Sequence, residues 1–85
     1  MMMKFRIELG LLNVAFGGSM NITFNYSSNV LPTPEKVQEM MAMRGLSPSR
    51  WKVYRVGVSE IINDEHVKNH FTNQFQVEIL DSMGA

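Results

Sequence analysis

Cysteine is absent from the 85-residue chain, which excludes disulfide staples, thiolate metal sites and a cysteine nucleophile. Net charge is absent as well. Eight Lys and Arg offset eight Asp and Glu, so no whole-molecule field draws the protein to nucleic acid, to an anionic membrane or to a basic partner. No uninterrupted apolar run reaches the roughly 18 residues that would span a bilayer. Gly10, Gly17 and Gly18 do not make a dinucleotide fingerprint, no phosphate-cradling loop is present, and no serine sits in a nucleophile context. Length sets a further bound. Eighty-five residues make one domain, and a domain of that size has little room for a pocket of about 300 Å³ beside a packed core. An enzyme acting as a monomer is therefore disfavoured, and no cofactor is expected.

What is present is an ordinary globular composition, 45% hydrophobic and 19% charged, far from the signature of disorder. Lys4 and Arg6 ahead of Ile7 and the following apolar residues superficially resemble a secretory leader. Glu8 and Asn13 interrupt that run, no clean cleavage site follows, and the residues alternate as a strand does, so a cytoplasmic protein is expected. The glycosylation patterns at Asn21 and Asn25 read as chance matches within a strand.

Periodicity then divides the chain. Phe5, Ile7, Leu9 and Leu11 alternate with Arg6, Glu8 and Gly10, the period of two of a half-buried strand. Leu12, Val14 and Phe16 take over the apolar positions, which places a β-bulge near 10–12. After a turn at Gly17-Gly18-Ser19, Met20, Ile22, Phe24 and Tyr26 alternate again and complete a hairpin. Thr33 as N-cap, Pro34 in the first turn and Gly45 as stop predict a helix over 34–44, with Val37, Met40 and Met41 on the sheet. A third strand is expected over 51–59, with two faces that are hard to tell apart. Asn63 as a cap before Asp64 and Glu65 predicts a short helix over 64–71, and Phe75, Val77 and Ile79 predict a last strand over 75–80, followed by a tail. The expected fold is α+β: one domain over 4–81 between flexible termini, with a mainly antiparallel four-stranded sheet in the order β-β-α-β-α-β and the main helix across one face.

Charge is uneven even though it sums to zero. Residues 1–43 carry three basic and three acidic groups, 44–55 carry four basic and none acidic, and 56–85 carry one basic and five acidic. Arg44, Arg50, Lys52 and Arg55 interleave with Trp51 and Tyr54, the mixture of cations and rings that single-stranded nucleic-acid binders use. Trp51 and Tyr54 fall on opposite strand faces, so the competing reading is that at least one ring is core, with Trp51 buried, and the cations pair with Glu60, Asp64, Glu65, Glu78 or Asp81. His66 and His70, four apart on the expected helix, are weak metal candidates, since two imidazoles without a third ligand do not complete a shell. Methionine is the outlier, with eight in the chain. Met40 and Met41 lie on the apolar stripe, whereas Met43 falls on a polar flank as an exposed apolar contact.

The residues point to a small non-enzymatic module that binds another protein or itself, a genre shared by many accessory proteins, phage-encoded ones included. Its surfaces would be sheet edges, Met43, and the segment of Arg44, Arg50, Trp51, Lys52, Tyr54 and Arg55. Single-stranded nucleic acid held by that same segment is the alternative, and no membrane partner is expected.

Overall fold

A computed structural model of the chain describes residues 2–63, 66–68 and 73–84. The elements run β1 (Met3–Asn13), β2 (Ser19–Ser28), α1 (Pro34–Met43), β3 (Trp51–Asn63), β4 (His66–Lys68) and α2 (Asn73–Gly84). Three long antiparallel strands lie in the order β2-β1-β3, and the three-residue β4 pairs with the far end of β3.

The alternation in β1 sets the core. Phe5, Ile7, Leu9 and Leu11 are fully buried on one face of the central strand. Beside them on β2 stand Tyr26, Phe24, Ile22 and Met20, and on β3 stand Val58, Val56 and Val53. Burying a Leu, Ile or Phe side chain stabilises by about 1.5–3 kcal/mol, so this double-sided packing of β1 is the main source of stability. Val37, Met40 and Met41 of α1 and Ile79 of α2 close the same core from above.

Helix α1 follows its sequence signals. Thr33 Oγ1 accepts from the Lys36 amide at 3.2 Å, which satisfies one of the unpaired donors at the helix start. At the other end Gly45 has φ of 71°, a left-handed conformation that costs a residue without a side chain little. Gly45 N–H then bonds Ala42 C=O at 3.0 Å and Leu46 N–H bonds Met41 C=O at 2.9 Å, a complete Schellman stop with Leu46 buried behind it.

Three expectations are corrected. The four-stranded β-β-α-β-α-β order fails because the segment expected as a fourth strand, 75–80, is the middle of α2. Helical spacing places Phe75, Ile79 and Met83 on one stripe facing the core, and all three pack there. The tail expected after Leu80 is accordingly helical through Gly84. Second, β3 runs on to Asn63 and His66–Lys68 is a strand, so the helix expected over 64–71 does not hold at those positions; its residues 64, 65 and 69–71 lie outside the described residues. Third, the register does shift at Gly10/Leu11, but the extra residue belongs to β3. Gly10 stands opposite Arg55 and Leu11 opposite Val53, leaving Tyr54 as the insertion. That bulge explains why β3 had no clean alternation: Val53 and Val56 both face the core, and Tyr54 and Arg55 both face solvent.

Candidate functional site

The two outer edges of the sheet end differently. In an antiparallel pair, residues alternately direct their peptide groups toward the partner and away from it. The bond from Asn13 N–H to Gly18 C=O at 2.7 Å fixes that phase in the hairpin, so Asn21, Thr23, Asn25 and Ser27 of β2 direct theirs outward. On β3 the outward set includes Val58 and Glu60. Val58 N–H donates to Gln76 Oε1 of α2 at 3.3 Å, and Glu60 pairs with Lys68 of β4. No strand covers β2 among the described residues.

Beside the open β2 edge runs a groove of about 430 Å³ lined by Phe24, Tyr26, Lys36, Met40, Met43 and Arg44. Met43 is 80% exposed and presents a flexible apolar side chain at its rim. The Arg44 guanidinium lies 4.7 Å from the centroid of the Phe24 ring, and its Nη2 makes a long 3.4 Å contact to the outward Thr23 C=O. Arg44 thus stands across the strand edge, where a charge discourages unselective strand pairing. Lys36 Nζ lies 5.9 Å from the Tyr26 ring and 3.6 Å from Glu39. The Tyr26 hydroxyl is buried without a hydrogen-bond partner among the described residues, and burial pushes its phenol up to about 12 from the ordinary 10.0.

The face of the sheet turned away from the helices is polar. Alternation puts Lys4, Arg6, Glu8 and Leu12 of β1 there, with Asn21, Thr23, Asn25 and Ser27 of β2 and Lys52, Tyr54 and Arg55 of β3. Gly10 is the gap that organises this face. A Cβ on Gly10 would come within 2.8 Å of Tyr54 Cζ and 3.1 Å of Arg55 Cβ, so the missing side chain is what lets the Tyr54 ring lie against the strand. Arg55 reaches across the same gap, and its Nη2 donates to Asn21 Oδ1 at 3.2 Å.

The segment singled out from sequence is therefore divided among three places. Met43 and Arg44 join the β2 groove. Arg50 is exposed in the turn before β3, where its C=O accepts from Val14 N–H at 2.9 Å. Trp51 is half-buried on the helix side near Met41, Val53 and Met83. Lys52, Tyr54 and Arg55 lie on the open face together with Lys4 and Arg6, which sequence reading left out although strand alternation marks them. His66 lies in β4, so the helical spacing that joined it to His70 does not apply, and His70 is outside the described residues. Among the described residues no helix is long and apolar enough to cross a membrane. Comparison with protein-family models, with curated proteins and with solved structures finds no match.

Proposed function

We propose that the protein is a small non-enzymatic oligomerising module in which the β2 strand of a second copy adds, antiparallel, to the open edge of β2. The supporting observation is that edge itself: ten residues long, with outward peptide groups and an apolar groove alongside. A two-fold contact makes one patch meet itself. Asn21, Thr23, Asn25 and Ser27 all find partners when Thr23 stands opposite Asn25 and Asn21 opposite Ser27. Phe24 then lies on the axis with Ile22 opposite Tyr26, so that the apolar rows of the two copies join and the three long strands become six. Arg44 must release Thr23, which costs little for a long, exposed contact. A cytoplasmic setting belongs to the same proposal; the segment with leader-like composition is the central strand β1.

Sedimentation from low to high micromolar concentration, run beside amide exchange, tests this. The expected result is a dimer that forms with rising concentration and slows exchange at Thr23, Asn25 and their edge neighbours. A single monomeric species at high micromolar concentration, or a dimer that leaves β2 exchange unchanged, removes the proposal.

A further inference from the structure

The open face collects charge that the neutral composition hides. Lys4, Arg6, Lys52 and Arg55 share it with one acid, Glu8, a local excess of three positive charges counted as four minus one. None of the four makes an ion pair among the described residues. Lys4 and Lys52 stand at opposite ends, since Lys52 pairs with Leu12, eight positions along β1. At about 3.3 Å per residue that is a cationic track of roughly 26 Å. Tyr54 lies along this track, 51% exposed, with its ring resting on Gly10 and held from behind by the strand. The amide side chains of Asn21 and Asn25 flank it, exposed.

We propose that this face binds single-stranded nucleic acid, with the four cations on phosphates and the Tyr54 ring as a stacking platform. Charge complementarity selects a polyanion, and a ring set between cations selects one with exposed bases, which stack on aromatic side chains with a gain that hardly depends on sequence. A duplex fits worse. Its bases are read by an element that enters a groove, whereas the described part of this face is a sheet surface bordered at β3 by Gln76, Val77 and Leu80 of α2. The track length suits a short segment, at the lower end of the roughly 4–16 nucleotides that sheet-based single-strand binders cover. This inference uses the opposite side of the sheet from the β2 groove and stands whether or not the chain pairs through β2. It also differs from a site along 44–55, because Lys4 and Arg6 enter it while Arg44 and Arg50 do not.

The test is fluorescence anisotropy of labelled oligothymidylate, fifteen nucleotides long, titrated with the full chain at several salt concentrations. Saturable binding that weakens with salt is expected. Arg6→Ala, Lys52→Ala and Arg55→Ala should each weaken it and flatten the logarithmic salt slope by about 0.7. Tyr54→Ala should weaken binding about tenfold while leaving the slope in place. Arg50→Ala should match the parent protein. Lys52→Glu serves as a second variant, since Lys52 is exposed and makes no bond whose loss would unfold the chain; it should abolish binding at moderate salt with the melting temperature unchanged. Several results overturn the proposal: no binding at 50 mM salt up to high micromolar protein, equal affinity for a fifteen-base-pair duplex, losses for Arg50→Ala as large as for Arg55→Ala, or binding that ignores Tyr54.

Discussion

The outer edges of β2 and β3 pose one problem and receive different answers. On β3 the exposed peptide groups are closed from within the chain: Gln76 takes Val58 N–H, β4 pairs with Glu60 and Ile61, and Ile79 fastens α2 to the core behind them. On β2 one arginine leans across one carbonyl, and a groove remains. A sheet that spends a helix and a strand on one edge and a single side chain on the other has a finished side and a side available for pairing. The difference lies in what covers the edge and not in the strands, since both long edge strands share the same core through β1.

The largest effect should come from loosening the closed edge. Ile79 is 3% exposed, and Ile79→Ala is expected to cost about 2–5 kcal/mol through lost burial and the cavity left behind. For a domain of this size that is a large share of the total stability, so a fall in melting temperature of ten degrees or more should be plain in calorimetry. Exchange at Val58 should accelerate more than exchange at Phe24. If both accelerate alike, α2 is not a cover for β3 in particular and the contrast between the edges is lost.

Gln76→Ala probes the same edge with a smaller change. It leaves Val58 N–H, part-buried, without its acceptor, at an expected cost of about 1–2 kcal/mol in denaturant unfolding. Gln76→Glu keeps an acceptor oxygen and should lose less at neutral pH. Equal losses in the two variants would mean that the hydrogen bond is not what Gln76 supplies.

The β2 side was far more legible in the sequence than the β3 side, for physical reasons. The hairpin and α1 are governed by local signals: period-two alternation, the Thr33 cap, Pro34 and the Gly45 stop all act within a few residues of where they are written. The edge cover of β3 is not local. Phe75, Val77 and Ile79 satisfy a strand period, while Phe75, Ile79 and Met83 satisfy a helix period, and only packing against β3 and α1 decides between them. The bulge at Tyr54 shifts the phase of β3 midway, so Val53 and Val56 cannot be put on one face without the β1 register. The candidate site was legible in part. Met43 reads from the sequence as an exposed apolar side chain, and it is exposed; that Met43 and Arg44 stand beside the β2 edge follows only from the packing of α1 on the sheet. Trp51 was grouped with the cations by proximity in sequence, yet strand alternation turns it to the opposite side from Lys52. Lys4 and Arg6 belong with Arg55 only through pairing that crosses more than forty positions.

Tyr26 tests whether the groove beside β2 is already complete. Its buried hydroxyl lacks a partner among the described residues, so Tyr26→Phe should be neutral or stabilise by about 1 kcal/mol. Alkaline stability sharpens the point. The folded phenol keeps its proton to about 12, while an unfolded tyrosine releases it near 10. The stabilisation from this group is therefore whole below pH 10 and disappears as pH rises through 12. The difference in stability between parent and Tyr26→Phe should consequently move in favour of the variant across that interval. A variant less stable than the parent would show that the hydroxyl has a partner.

Arg44 should have the smallest effect on folding and the sharpest effect on the comparison. Arg44→Ala removes an exposed cation–π contact worth about 0.5 kcal/mol, together with the long bond to Thr23, so the melting temperature should scarcely move. If Arg44 is what keeps the β2 edge from pairing freely, its removal should tighten self-association severalfold in sedimentation and slow exchange at Thr23 and Asn25. Arg44→Lys separates charge from geometry, because an ammonium keeps the positive charge but not the planar fork that spans ring and carbonyl. Association should then fall between parent and alanine variant if the planar group matters, and match the parent if charge alone guards the edge. Weaker association of Arg44→Ala than of the parent would reverse the assignment: Arg44 would be a contact that builds the interface, and the β2 edge would need another guard.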